Sequence, residues 1–298
     1  MCKVSVVTTC YNPGDGLKKT IESVLGQTYT DFEYIIQDGG STDRALELAR
    51  SYEASFAEKG IRYHVYSEKD SGIYDGMNRA VAKANGEYVN FMNADDVFFD
   101  KNVLNKIFGN EASPDVNCGN EEKRCISRVL DEKIKNADVI YGDCVELEFG
   151  DYYYFPKDFD KITRGMPFSH QSVFAKRELL TTFPFRTDLR IGSDYDFLLS
   201  AYDNEVEFAD CGCVVCIITK DGVSSTDLYN TFVETVAIQK AHGIVRFGED
   251  EYQKKLKSLK LRQFGMDYLP NFAKKAIRIV QRKMRGQSKK PDMRGEHY

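Results

Sequence analysis

The chain has 298 residues, 42% hydrophobic and 29% charged, enough apolar surface to bury a sizeable core, which excludes wholesale disorder. Its 41 basic and 46 acidic side chains leave a net charge of −5, which excludes a protein that coats nucleic acid through general positive charge. No run approaches the roughly 18 apolar residues of a bilayer-spanning helix, and Lys3 leads straight into Val4-Ser5-Val6-Val7, too short for the apolar region of a secretory signal.

At about 150 residues per domain the length suits two domains or one enlarged α/β unit. The eight cysteines form no dense framework, the pattern of reduced thiols in a cytoplasm. In chain order, Lys3 to Thr9 reads as a buried strand, and Leu17, Ile21, Val24 and Leu25 put one apolar stripe on a helix. Glu33 to Gln37 is a second strand, ending in Asp38-Gly39-Gly40-Ser41-Thr42-Asp43, a tight turn followed by helix-capping chemistry. Ile61 to Ser67 is a third strand. Ile73, Met77, Ala80, Val81 and Ala84 then mark a helix, closed by Asn85-Gly86 as a C-cap. Glu87 to Met92 is a fourth strand, ending at Asn93-Ala94-Asp95-Asp96. Such alternation predicts an α/β fold, a doubly wound parallel sheet whose ligands bind at the carboxyl ends of the strands, where each of these polar clusters falls. Residues 110 to 136 are polar and read as a helical insertion. Val139 to Phe149 and Val206 to Thr219 read as strands, Ser193 to Tyr202 as a helix, and the chain from Asp227 onward as helical.

Adjacent carboxylates repel one another unless a cation or hydrogen bonds relieve them, so Asp95 and Asp96 at a strand end suit Mg²⁺ or Mn²⁺; a solvated turn with a capping Asp is the alternative. Asp38, beside two glycines that let a planar ligand approach, is placed to accept the imino N–H of a uracil or guanine ring; an ordinary strand-to-helix turn is the alternative. Asp194 follows Ser193, a candidate N-cap, and in a helix's first turn it is a candidate general base, or else simply compensates the helix dipole. There is no G-x-G-x-x-G and no Walker A motif, which disfavours dinucleotide dehydrogenases and removes P-loop ATPases. Cys211-Gly212-Cys213-Val214-Val215-Cys216 alternates within a strand-like run without a second pair, so these are structural thiols. His64, His170, His242 and His297 show no zinc spacing.

Taken in order, six blocks resemble the inverting glycosyltransferases of family 2, of the GT-A fold, in particular those of capsule and exopolysaccharide assembly. They are Val4 to Asn12, Ile35 to Asp43, Ser67 to Asn78, Gly86 to Asp96, His170 to Phe174 and Ser193 to Phe197, together spanning residues 3 to 220. The resemblance implies that Thr9, Tyr11 and Asp38 hold the nucleotide base and ribose, with Asp70 and Asn78 along the same donor pocket. Asp95 matches the last carboxylate of the family's D-x-D motif, a metal ligand with Asp96 beside it, and Asn93 stands where that motif has its first Asp. Asp194 matches the catalytic base, with Asp196 the runner-up, and His170, Gln171 and Asp196 are assigned to the acceptor side. The implied reaction is one in-line displacement at the anomeric carbon of a nucleotide sugar, UDP-linked by preference and of hexosyl or N-acetylhexosaminyl type, with Mn²⁺ or Mg²⁺ neutralising the departing diphosphate. The implied acceptor is a saccharide, carried on a lipid. Two other readings are a non-catalytic nucleotide-sugar-binding subunit and a sugar-phosphate nucleotidyltransferase. The latter lacks its glycine-rich loop here, since Thr8-Thr9-Cys10-Tyr11-Asn12 occupies that place.

The expected organisation is a catalytic domain over 1–225, with a nucleotide-sugar half (1–100) and an acceptor half (101–225), and a helical extension over 226–298. From Tyr252 to Tyr298 there are nine lysines and five arginines against two aspartates and one glutamate, so the tail carries +11 and the first 251 residues −16. Phe272, Ala273, Ala276, Ile277, Val280 and Met284 follow helical spacing, with Lys274, Lys275, Arg278, Arg282 and Lys283 over much of the remainder. Such a helix suits the anionic inner face of the cytoplasmic membrane, or else packs its apolar side on the catalytic domain with its charges in water.

Overall fold

The protein is described by a computed structural model covering residues 2–109, 132–219 and 226–269, together with Ile277 and Arg282. Its strands are β1 (Val4–Cys10), β2 (Phe32–Asp38), β3 (Arg62–Ser67), β4 (Tyr88–Phe91), β5 (Val97–Phe98), β6 (Val139–Glu148), β7 (Asp151–Phe155), β8 (Val173–Lys176) and β9 (Phe208–Thr219). Its helices are α1 (Gly16–Leu25), α2 (Ala45–Ser51), α3 (Glu53–Glu58), α4 (Ile73–Lys83), α5 (Val103–Phe108), α6 (132–136), α7 (Arg177–Thr182), α8 (Ser193–Asp203), α9 (Leu228–Ala241) and α10 (Glu249–Tyr268). All strands join one sheet in the order β3-β2-β1-β4-β8-β6-β9-β5, with β7 paired to β6. The block β3-β2-β1-β4 is parallel throughout. Beyond it, β8 runs antiparallel to both β4 and β6, while β6 and β9 are again parallel.

The strands alternate between two apolar layers because successive side chains of a strand point to opposite faces. Val4, Val6, Phe32, Tyr34 and Ile36 face one layer with Leu17, Ile21 and Val24 of α1. Val7 and Ile35 face the other, with Met77, Ala80 and Val81 of α4 and Phe197 to Leu199 of α8. Helices thus cover both faces, as the α/β periodicity predicts.

Three strands carry weak sequence signals. β5 has two residues and β8 has four. β7 follows β6 through Phe149 (φ 51°) and Gly150 (φ 81°), a two-residue turn with left-handed geometry at both positions that folds 151–155 back as a hairpin. Gly86 is not a helix C-cap. The helix ends at Lys83, the Asn85 N–H bonds Glu33, and a Cβ at Gly86 would sit 2.4 Å from the Ser5 nitrogen, so this glycine lets the chain pass against β1. Of the polar insertion, 132–136 is helical and 110–131 lies outside the described residues, as does most of the tail beyond 269.

Candidate active site

The carboxyl ends of β1, β2 and β3 open onto a cleft of about 950 Å³, a size that suits small-molecule ligands. Its walls are Thr9, Cys10 and Tyr11, the glycines Gly39 and Gly40, residues Lys69 to Asp75, and the loop Thr187 to Arg190. Tyr11 stands at the rim, 65% exposed. Asp70 is part of that wall, packed so closely that a Cβ on Gly39 would come within 2.7 Å of its Oδ2 and one on Gly76 within 2.9 Å. The glycine after Asp38 therefore also makes room for the Asp70 carboxylate.

Asp38 does not line the cleft. It is buried, and its carboxylate accepts from the Ser41 N–H (3.1 Å) and the Ser67 hydroxyl (2.6 Å), fastening the loop that carries the two glycines. Next to it, burial and then the Asp38 charge push the Cys10 thiol up to about 12. Asn78 is also displaced from its expected role. Its amide donates to the Phe185 carbonyl (2.7 Å) and accepts from the Phe185 N–H (3.0 Å), so both ends are engaged in tying α4 to the loop that leads to Arg190.

Beside the cleft four side chains form a line across the end of β4, hydrogen-bonded from Thr9 to His170 and in close contact from His170 to Asp194. The Thr9 hydroxyl donates to Asn93 Oδ1 (3.1 Å), Asn93 Nδ2 lies 2.9 Å from His170 Nε2, and His170 Nδ1 lies 3.2 Å from Asp194 Oδ2. With the amide oxygen toward Thr9 and its N–H toward the ring, Nε2 accepts and the neutral ring carries its proton on Nδ1, the nitrogen that faces Asp194. Asp194 Oδ1 accepts the Tyr195 N–H (3.0 Å) and lies 3.3 Å from the Tyr74 hydroxyl, which also donates to the Ile191 carbonyl. Burial, and after it the Asp194 charge, push the Tyr74 phenol well above its ordinary range, so it stays a donor. Asp194 sits in the first turn of α8, where the helix dipole favours a carboxylate. Gly192 rather than Ser193 is the N-cap, and the Ser193 hydroxyl accepts the Arg186 N–H (2.5 Å).

The paired acidic positions part company. Asp196 lies two residues along α8 from Asp194, about 200° around the helix. It faces Arg186 (3.5 Å) and His242 (3.4 Å), away from the line of Asp194 and His170. Gln171, 8% exposed, is also no acceptor-side group, for its amide donates to Asp96 Oδ2 at 2.6 Å. Asp96 is 5% exposed and its other oxygen accepts the Thr219 N–H (3.0 Å); burial outweighs these bonds and lifts its carboxyl to about 6. Asp95 turns outward with a left-handed backbone (φ 77°) and holds the Lys19 ammonium at 2.7 Å.

Among the described residues no three His, Cys, Asp or Glu side chains converge as a metal cage. Asp96 does not fit a metal, because both its oxygens face N–H donors in the interior. Asp95, with its side chain 37% exposed and already paired with a cation, does fit. Hydrated Mg²⁺ commonly takes one or two carboxylates and completes its shell with water and substrate phosphate oxygens. Lys69 and Arg190, both exposed on the cleft wall, and Tyr74 behind Asp194 are the additions the sequence reading missed. Lys69 and Tyr74 lie inside a quoted block, Ser67 to Asn78. Arg190 lies outside every block, and only the fold brings its loop to the cleft.

Comparison with known proteins gives this geometry its family. The sequence model of Glycosyl transferase family 2 matches residues 5–181, more than half of the chain. A Mycobacterium tuberculosis protein named PGL/p-HBAD biosynthesis glycosyltransferase is 27% identical over 203 residues, 67% of this chain and 70% of the relative. An uncharacterized Escherichia coli glycosyltransferase, YibD, is 37% identical over 94 residues, 32% of this chain and 26% of YibD. Among solved structures, S. aureus TarS 1–349 superposes with a TM-score of 0.57 at 19% identity, covering 88% of this chain and 71% of that one. The mannosyltransferase PcManGT from Pyrobaculum calidifontis, in complex with GDP-Man and Mn²⁺, does so with 0.58 at 18%, covering 88% and 70%. The chain belongs to glycosyltransferase family 2 and has the GT-A fold; it is a sugar-transferring enzyme.

Proposed function

We propose that the enzyme transfers a sugar from a nucleoside-diphosphate donor to an acceptor hydroxyl with inversion, using Asp194 as the general base. The observation that carries this reading is the Asp194 carboxylate, in a first helical turn against His170 and Tyr74, the latter itself a wall of the cleft of about 950 Å³. Thr9, Tyr11 and Asp70 serve the donor, with Asp38 shaping the glycine loop from behind. Lys69 and Arg190 offer cations to the diphosphate. Asp95 would carry the divalent metal, which when bound supplies charge neutralisation for the leaving diphosphate. The acceptor O–H proton passes to Asp194, the acceptor oxygen forms the new bond to the anomeric carbon, and the bond from that carbon to the diphosphate oxygen breaks. A single displacement inverts the anomeric centre.

UDP is the favoured nucleotide: S. aureus TarS 1–349 is known in complex with UDP-GlcNAc, whereas PcManGT holds GDP-Man. A lipid-linked saccharide is the proposed acceptor, reached at an anionic membrane surface through the exposed lysines of α10. No described helix is long and apolar enough to cross a membrane.

A thermal-shift panel of UDP-, GDP- and dTDP-sugars with Mn²⁺ tests the donor. At 100 times the dissociation constant a cognate donor adds about 2.7 kcal/mol of stability. Chelation is expected to remove most of that shift. Asp194→Asn is expected to keep the shift while losing hydrolysis of the same donor, and near-wild-type turnover in that variant would refute the base assignment.

A further inference from the structure

His170 was expected on the acceptor side, yet its two ring nitrogens are both engaged within the protein. Nε2 faces the Asn93 amide and Nδ1 faces Asp194. Resting on the proposed base role of Asp194, we infer that His170 is a positioning residue, which sets the Asp194 carboxylate through its Nδ1 contact while the Asn93 amide holds the other side of the ring.

The argument begins with the acceptor positions of the carboxylate. Two oxygens offer about four lone-pair positions. Oδ1 takes the Tyr195 N–H and the shared Tyr74 hydroxyl, and Oδ2 lies against the imidazole Nδ1 at 3.2 Å. One position on Oδ2 stays open, and that is where an incoming O–H can be received. Without His170 the carboxylate keeps only its Oδ1 partners and can swing about them, and the open position loses its direction.

The line continues behind the ring. A flipped amide would need Thr9 to accept rather than donate; in the orientation shown Thr9 donates to Asn93 Oδ1 and the amide N–H faces Nε2. The Nε2–H tautomer would then set two donors against each other at 2.9 Å. Among the described residues the ring has no further polar partner. Below His170 and Asp194 lies a cavity of about 20 Å³ walled by Val89, Phe91, Phe185 and Phe197. Apart from His170 and Asp194 its lining is apolar. Thr9 also borders the donor cleft, so the line runs from the donor wall to the base.

Two isosteres separate this role from a structural one. An Asn amide reaches where Nδ1 lies and can donate to Asp194; a Gln amide reaches where Nε2 lies and meets Asn93 instead. The readout is release of nucleoside diphosphate when the enzyme hydrolyses the UDP-sugar that gives the largest thermal shift, with Mn²⁺ present. His170→Ala is expected to lower kcat by about 10- to 100-fold, the range that partners orienting an active group command, at nearly unchanged KM. His170→Asn should recover to within about fivefold of wild type, and His170→Gln should stay with the alanine variant. In parallel, ¹⁵N spectra of the ligand-free protein should show the His170 ring protonated at Nδ1, and Asn93→Ala should shift it toward Nε2–H. A ring protonated at Nε2 in the wild type, or equal rescue by Asn and Gln, overturns the inference. So does full hydrolysis by His170→Ala in an enzyme that Asp194→Asn inactivates, which leaves the transfer reading standing. A wild type that binds and hydrolyses no nucleotide sugar overturns the transfer reading itself, and with it the positioning role.

Discussion

Glu33 is the second residue of β2, wholly buried, and its carboxylate accepts from the Ser5 hydroxyl (2.6 Å), the Asn85 N–H (2.5 Å) and the Asn85 amide (3.3 Å). Burial is the largest single influence on this acid and acts to raise its pKa. The bonds from Ser5 and Asn85 together outweigh it and leave the pKa below the ordinary 4.5. A carboxylate with a depressed folded pKa contributes stability that is present above its unfolded pKa and lost as pH falls through the folded value. Glu33→Gln is therefore expected to cost about 1–3 kcal/mol at pH 7, where a neutral amide replaces one acceptor with a donor facing donors. Urea unfolding at pH 7 and again well below pH 4.5 checks this: the gap between wild type and variant should narrow in acid, and a constant gap would contradict it. Side-chain pairings also show what one sequence can and cannot reveal at this scale. Asp95 and Asp96 are equivalent candidates on paper, as are Asp194 and Asp196, because the residue types are the same. The structure separates each pair by direction: Asp96 points inward to Gln171 and Asp95 outward to Lys19, while Asp196 faces His242 and Asp194 faces His170.

Elements with strong periodicity were legible, and those fixed by long-range pairing were not. β1, β2, β3 and α4 follow from apolar spacing within their own residues. β8 forms because Val173 to Lys176 fits between β4 and β6, and no local signal announces that. The loop after α7 is the functional counterpart of this lesson. It enters the cleft with Asp188 and Arg190, yet its anchor is Phe185, whose ring meets Tyr74, Phe91 and Phe197 and whose main chain is held at both ends by Asn78. Asn78 was legible as part of a motif, and only the fold shows that it serves the site through another element. Asn78→Ala should cost about 2 kcal/mol from two lost hydrogen bonds in a half-buried setting. Because the freed loop carries one cleft wall, its kinetic effect should fall on donor KM more than on kcat. Melting curves and donor-hydrolysis kinetics check both parts. An unchanged KM in the destabilised variant would show that the loop keeps its place without this staple.

The uneven charge of the whole molecule, −16 over the first 251 residues and +11 beyond, suggests a basic tail presented to an anionic surface. Arg282 departs from that picture. It is 5% exposed, its guanidinium bonds Glu146 (2.9 Å) and Glu148 (2.6 Å), and it stacks on the Tyr153 ring at 3.7 Å. Part of the tail's charge is therefore spent inside the fold, against the β6–β7 hairpin, where neither the membrane reading nor a charge left in water had placed it. Helical spacing cannot reveal this, since a buried arginine and a solvated one occupy the same kind of position on a wheel. Among the described residues of the tail the lysines of α10 are available to a surface: Lys254, Lys255, Lys257 and Lys260 are all exposed, with Leu256 and Leu259 half-buried between them. Two variants divide the roles. Arg282→Ala takes the guanidinium from two buried carboxylates and should cost about 3 kcal/mol, seen as a lower melting temperature, with vesicle binding intact below that temperature. Replacing the four lysines by glutamine should leave the melting temperature nearly unchanged. It should weaken co-sedimentation with anionic phosphatidylserine vesicles by well over tenfold, since each basic residue near such a surface contributes about 1 kcal/mol. Added salt should reproduce the loss in the wild type, because the attraction decays within about 10 Å at 0.1 M. Vesicle binding that survives both the four substitutions and salt would reject α10 as the membrane contact, while the Arg282 clamp would stand on its melting temperature alone.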